Sequence, residues 1–570
     1  MDCKERILSN EYADGVVDFP VERLISTGSD ACYIPLDDKY SVVYQNRNIA
    51  SDLLESIYQY RYIPHLYGLM QMGEAGSGNV FDPSYLAASG VRQVQNPPLS
   101  LKGQGTIVAI IDTGIDYTNP VFRDESGNSR ILAMWDQTDQ SGNPPEGLFY
   151  GSEYKREDID RALRSERPRE SVPKKDILLH GSIMAAVAAG STVGGGSVYL
   201  GAAPEADLVI VKLKECKSYL RDYYLVPAGV AAYEESDIML GIKYADRFAE
   251  SFARPVVICL GIGTNMGDHG GNSMLAGYLN RIAEKRSRAV VVCGGNEGNV
   301  GHHYMGDFKK NPTGSGKDVE IRVDEGEKGF VLEFWGAQPD VFYVAVRSPG
   351  GETIPPVRLG LEQTNTYRFV FESTVITIQS VLVEPGAGEE LILFRVEDPT
   401  PGIWNFRIFS VGNNHQGIFH MWLPIRDFLS GETYFLEPEA DITLTEPAMS
   451  QEVLSVSNYD YRNNSFYLES GRGFSRVGSV KPDLASPGVK IPTPYGLRTG
   501  SSISAALAAG AAAQFLQWAV VEKNSPLANT KEVKNYFIKG AIRQPDLEYP
   551  NREWGYGRLN VLGAFDVLRG

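Results

Sequence analysis

Three short glycine-bearing motifs lie far apart in this chain, and each carries a group able to take part in acyl chemistry: Asp112-Thr113-Gly114, His180-Gly181-Ser182 and Gly500-Ser501-Ser502. A serine hydroxyl is a weak nucleophile at neutral pH. Attack on a carbonyl needs a base beside it to take the proton, and a carboxylate to orient that base and stabilise its charged form. The motifs supply the carboxylate, the imidazole and the hydroxyl, one each. A fourth run, Ala289-Val-Val-Val-Cys-Gly-Gly-Asn-Glu-Gly298, carries Asn296 in a glycine-rich turn, where its amide can donate to a developing oxyanion.

Each motif comes with an element to position it. Gly105-Thr-Ile-Val-Ala-Ile-Ile-Asp112 reads as a buried parallel strand with its carboxylate at the carboxyl end, where open α/β sheets place their ligand crevices. His180 opens a run of small and apolar residues ending at Gly190, which suits a helix packed closely on a sheet. Ser502 stands at the head of an alanine-rich helix former, so backbone N–H groups at the helix start face an oxyanion. Singly, each motif has an ordinary reading: a turn aspartate, a polar histidine at a helix start, a serine cap. Their combination and order set them apart.

With Asp, His, oxyanion Asn and Ser in that order, the chain resembles the subtilisin family of serine proteases. Further blocks join the match: Gly201-Ala-Ala-Pro-Glu-Ala-Asp-Leu-Val-Ile-Val-Lys-Leu213, Lys481-Pro-Asp-Leu-Ala-Ser-Pro-Gly488 and Gly555-Tyr-Gly-Arg-Leu-Asn-Val561. The resemblance implies that Ser502 attacks a peptide carbonyl, His180 takes and returns the proton, Asp112 holds the imidazole, and Asn296 with the Ser502 N–H holds the oxyanion. It also implies that a protein or peptide substrate lies along Gly261, Ile262 and Gly263 as an added strand, beside Cys293, Gly294 and Gly295. No cofactor is required. Calcium steadies loops in such proteins, but the acidic stretch Glu153–Asp160 lacks a diagnostic ligand spacing and reads as a solvated helical face. The chain departs from the family at Ser182 and Ser501, where threonine is usual, and at Gly261-Ile262-Gly263, where the family tends to carry Ser-Leu-Gly.

At 570 residues the chain exceeds one compact core, and 43% hydrophobic with 22% charged residues is the composition of a folded globular protein. A formal charge of −17 argues against nucleic acid or an anionic membrane as partner. The five cysteines are scattered and show neither a disulfide framework nor a metal-ligand spacing. The N-terminus lacks the apolar core of a secretion signal and no apolar run reaches membrane-spanning length, so synthesis in the cytoplasm is the expectation.

The expected fold class is α/β: a subtilisin-like parallel sheet with helices on both faces, an N-terminal α+β prodomain and an inserted β-sandwich. Residues 1–95 read as the small α+β unit. In the family such a unit assists folding and inhibits, its tail lying in the active site until it is cut. The cut is expected after Gln95, before Asn96, in a stretch that Pro97-Pro98 keeps extended. Residues 96–305 form the first part of the catalytic domain. In residues 306–440 the periodicity turns from helical to alternating, as in a jelly-roll sandwich that buries Trp335 and Trp404. Residues 441–570 complete the catalytic domain.

This architecture resembles the clostridial Csp germination proteases, which implies limited proteolysis of an inactive spore cortex-lytic hydrolase and a place in the spore. The alternatives are a pseudoprotease acting as sensor or scaffold, which the presence of all three triad residues speaks against, and a subtilase unrelated to spores. Glu297 reads as part of a structural turn. His302, His303 and His269 with Asp268 read as surface-loop residues, not a metal site. His65, His415 and His420 show no role.

Overall fold

In a computed structural model the described residues are all but 1, 22–29, 50–51, 58, 71, 75–81, 174–175, 193–198, 310–315, 358–361, 413–414 and 569–570. The apolar runs of the sequence become the middle of a nine-stranded sheet. Leu454–Asp460, Arg288–Cys293, Val256–Leu260, Ile107–Asp112, Asp207–Lys212 and Ile131–Asp136 lie side by side in parallel, with antiparallel strands Ser465–Phe466 and Ser152–Lys155 at the two ends and Leu484–Pro487 also paired to Leu454–Asp460. Helices cover both faces, so these strands carry no polar face. Along Ile107–Asp112 alternate side chains enter opposite cores. Val108 and Ile110 pack with the helices His180–Ala189 and Ser501–Leu516, while Ile107, Ala109 and Ile111 pack with Glu235–Ser251 and Met274–Glu284.

Among the described helices, Ser501–Val521 is long and apolar enough to cross a membrane by length and composition, and 89% of its apolar window is buried inside the protein. Close packing explains its alanines. Gly510 lies against Ala188 and Ala202, with an added Cβ only 2.4 Å from the Ala188 carbonyl, so two helices meet here with almost no side chain between them.

The N-terminal unit is an antiparallel sheet in the order Tyr12–Val17, Ser41–Asn46, Ala31–Pro35, with the helix Asp52–Ile57 on it. Val16, Ile34, Val42 and Tyr44 merge with the core beneath the helices Glu235–Ser251 and Met274–Glu284, and Lys217 pairs with buried Asp14. Cys3 and Cys32 form a disulfide, a pairing that spacing along the chain did not reveal. The helices Ser84–Ala88 and Val91–Gln95 pack instead in the catalytic core, where Tyr85, Leu86, Val91 and Val94 are buried.

The insertion is a sandwich of two antiparallel sheets. One runs His303–Asp307, Ile418–Trp422, Gly329–Gly336, Glu390–Glu397, Val375–Val381, Glu362–Arg368, and the other Thr353–Val357, Phe342–Arg347, Gly402–Ser410, Lys317–Val323, Tyr434–Phe435. Lys317–Val323 alternates buried Val319, Ile321 and Val323 with more exposed neighbours, as a sheet wetted on one face does. Gly329–Gly336 is buried at every residue, because Val331 and Trp335 leave the sandwich and join the catalytic core. Trp335 and Trp404 are both buried, as expected.

Candidate active site

The first two motifs interlock. Gly181 N–H donates to Thr113 Oγ1 at 2.9 Å, and a Cβ at residue 181 would lie 2.3 Å from the Gly114 carbonyl, so only glycine lets the helix start approach the loop after Asp112. This approach sets His180 Nδ1 2.8 and 2.9 Å from the two Asp112 carboxylate oxygens. Ser182 holds the turn in place, its Oγ donating to Asp176 at 2.7 Å and accepting from Asp116 N–H at 2.7 Å. Leu179, with φ 60°, reverses the chain just before the helix.

Ser502 lies in the first turn of Ser501–Leu516, and the Ser501 N–H donates to Asn296 Oδ1 at 3.0 Å. Asn296 borders a groove of about 280 Å³ with Met70, Glu297, Thr499 and Gly500.

A segment of the chain itself occupies this cleft. Leu66–Leu69 is the middle strand of a three-stranded antiparallel sheet, between Tyr233–Glu234 and Ile262–Gly263. Leu69 pairs with Ile262, Gly68 with Gly263, and Met70 N–H donates to the Gly261 carbonyl at 3.1 Å. The Met70 carbonyl then accepts from Ser502 Oγ at 3.0 Å and from His180 Nε2 at 3.2 Å. Beyond residue 71, Gly73–Glu74 pairs antiparallel with Gly496–Thr499, so the segment is gripped on both sides of Ser502.

The electrostatics of His180 follow from these contacts. Burial disfavours its charged form, but the Asp112 carboxylate and the Met70 carbonyl outweigh burial and hold the pKa above its ordinary value. With an acceptor at each ring nitrogen, the imidazole is poised to carry a second proton.

The expected site residues divide as follows. The structure brings Asp112, His180, Ser502 and Asn296 together, and Gly261, Ile262 and Gly263 pair with the segment through their backbones. Cys293 sits inside its strand, its Sγ directed to the Ile262 carbonyl at 3.7 Å and its pKa pushed up to about 12 by burial, so it lies behind the cleft wall. Gly294 N–H is used within the sheet by Val456. Gly295, with φ 87°, packs against the Thr445 side chain. The cut expected after Gln95 needs correction, since Gln95 is buried in a short helix, donating to the Gly201 and Ala202 carbonyls, and Asn96 follows as its C-cap. Met70 is the residue that lies at Ser502.

Sequence reasoning missed Thr445. Its side chain approaches both Gly263 and Gly295, which explains two glycines at the rim, and its Oγ1 is 3.9 Å from Met70 Sδ. At Gly261 a side chain would lie 2.3 Å from Met184 Sδ, so Met184 accounts for the loss of the usual serine. The histidines read as surface residues are buried. His269 stacks on Trp422 at 4.1 Å, and His303 and His420 stack beside it. Glu297 is a structural anchor, bonded to His302 Nδ1 at 2.7 Å and to Asn265. In the stretch Glu153–Asp160, Glu153 accepts from Tyr244 and Asp160 from Ser129 N–H. Among the described residues no cluster of His, Cys, Asp and Glu is arranged for a metal ion.

The subtilase family profile matches residues 103–319 and 404–557, and the break between them falls inside the sandwich. The structure of the Clostridium perfringens CspB protease is similar, at 30% identity over 86% of this chain and 98% of that one, with a TM-score of 0.76. The prenylagaramide maturation protease PagA and the patellamide maturation protease PatG are each 13% identical, cover 84% and 86% of this chain and 99% and 98% of their own, and have TM-scores of 0.39. A comparison with curated protein sequences gives no match. With the family profile spanning most of the chain and the CspB protease matching nearly end to end, the chain belongs to the subtilase family and is a subtilisin-like serine endopeptidase.

Proposed function

We propose that Ser502 is the nucleophile, His180 its base, and Asp112 the carboxylate that orients and stabilises the imidazole, with the Asn296 side chain and the Ser502 N–H holding the oxyanion. The acyl-enzyme is then released by water, and the chemistry needs no cofactor. One observation carries this reading: the Met70 carbonyl touches both Ser502 Oγ and His180 Nε2 at the end of a strand added to the cleft.

The N-terminal unit is its own inhibitor in this proposal, and the chain cuts itself between Met70 and Gln71. In the arrangement seen, both donors of the catalytic pair are spent on one carbonyl oxygen. Attack requires that peptide to turn its oxygen toward Asn296. By analogy with the germination proteases, the outside substrate is the zymogen of a spore cortex-lytic hydrolase.

The test is the intact mass of wild type beside Ser502→Ala. Wild type is expected to split after Met70 while Ser502→Ala stays whole with the same fold. Cutting retained in Ser502→Ala would overturn the assignment, and two whole chains would favour a pseudoprotease. Conversion of a cortex-lytic zymogen by wild type alone tests the spore role.

A further inference from the structure

The third residue before the proposed cut has little room for a side chain. A Cβ on Gly68 would lie 2.5 Å from Ile425 Cδ1 and 3.2 and 3.4 Å from Phe428 Cε1 and Cζ. Ile425 and Phe428 follow the strand Ile418–Trp422, in the connection to the sandwich strand Tyr434–Phe435, and they are 2% and 1% exposed. They share one apolar cluster with Leu66 and Met70, the neighbours of Gly68 on the same face of the strand.

This cover is pinned in place. Arg426 N–H donates to Glu297 Oε1 at 3.3 Å, Phe428 N–H closes a tight turn onto the Ile425 carbonyl at 2.8 Å, and Glu297 adjoins Asn296. The other positions differ. Leu69 is only partly buried, Tyr67 is wholly buried and paired with Tyr233, and Met70 is enclosed with Thr445 beside its sulfur.

We infer that Ile425 and Phe428 roof the cleft and make glycine the residue selected three positions before the scissile bond, so the substrates are extended segments of the form aromatic–Gly–any–Met. This rests on the reading that Leu66–Met70 lies in the cleft as a substrate does. The selection is graded. Cδ1 is the tip of Ile425 and can turn away from a single methyl group, but the buried Phe428 ring blocks anything longer. The sandwich therefore sets specificity as well as packing on the core.

The experiment uses the full chain with two readouts. In the Ser502→Ala background, digestion of residues 66–74 by added thermolysin reports how firmly the segment is seated, without any activity of the protein itself. Overpacking at this site is expected to speed digestion about 5-fold for Gly68→Ala and at least about 50-fold for Gly68→Leu. Adding Ile425→Ala is expected to return Gly68→Ala to the rate of the parent, while Gly68→Leu stays fast. In the active chain, Gly68→Leu is expected to slow self-cutting to a similar degree. Digestion of Gly68→Leu at the parental rate, or no rescue of Gly68→Ala by Ile425→Ala, overturns the roof. A wild type that never cuts itself would sink the self-processing reading alone, because the thermolysin readout still decides the roof.

Discussion

Two groups of buried imidazoles in this protein meet opposite fates. His180 in the cleft and the His269, His303 and His420 stack between sandwich and core are all withdrawn from water, which disfavours the charged ring in each. At His180 the adjoining Asp112 carboxylate reverses the effect. Among the described residues no carboxylate bonds a ring of the stack. His269 lies between the Asn265 and Leu444 carbonyls, His303 bonds the Asp441 carbonyl and His420, and the pKa falls to about 4 for His269 and about 3 for His303. The difference teaches that the paired charge, not burial, makes an imidazole fit for proton transfer, whereas neutral stacked rings can serve as packing.

The strongest way to break this contrast is to remove the carboxylate. Asp112→Asn is expected to lower peptide hydrolysis by about 10⁴-fold with the fold intact, by favouring the wrong tautomer of His180. Steady-state kinetics against wild type, with circular dichroism as control, checks it.

Next in size is Trp422→Ala, which takes the ring from between His269 and His303. A cost of about 4 kcal/mol in urea unfolding is expected, and a cost below about 1 kcal/mol would show that the stack does not hold the interface together.

The pH dependence sharpens the comparison from the other side. His269 has a folded pKa below its unfolded one, so its contribution is present above pH 6.5 and is lost as pH falls toward about 4, some 3 kcal/mol in all. His269→Phe is expected to flatten that acid limb in urea titrations at stepped pH. Glu235 and Glu333 act in the opposite sense. Burial raises both to about 7, so their contribution is greatest below pH 4.5 and is lost as pH rises to about 7. Glu235 accepts from His65 N–H at 3.2 Å and Glu333 from Tyr60 Oη at 2.9 Å, so the seating of Leu66–Met70 should loosen over that rise. Thermolysin digestion of Ser502→Ala at pH 5 and pH 7.5 checks this.

The smallest effect is expected at Thr445. Thr445→Val keeps the shape and removes a hydroxyl in contact with Met70 Sδ, so a change below about 1 kcal/mol, or 5-fold, is expected in the rate of self-cutting.

Much of this was legible along the chain. Ile107–Asp112 announces itself as a buried strand because every residue but the last is apolar, and the alanine-rich run after Ser502 can only be a helix pressed against another surface. The alternation in residues 317–323 marks a wetted sandwich strand. The motif glycines at 114 and 181 signal a close approach, and the order of Asp112, His180, Asn296 and Ser502 signals the chemistry. These are local patterns, in which a residue's own neighbours in sequence carry the message.

Tertiary structure alone decided which segment enters the cleft. Pro97-Pro98 suggested an extended cut site near Gln95, yet Val91–Gln95 is a short helix whose Gln95 side chain is tied to the core, and the chain threads Leu66–Met70 past Ser502. It also decided that Thr445 lines the rim, that Ile425 and Phe428 cover Gly68, and that Cys3 finds Cys32. Most of these are meetings of residues distant in sequence, and the histidines illustrate the reason. His269 and His303 read as surface-loop residues and His420 as one without a role, and the three become a dry stack only when two domains close around them. Propensity and periodicity record how a residue relates to its chain neighbours, whereas burial and pairing across domains arise from the packing of surfaces that no short stretch of sequence describes.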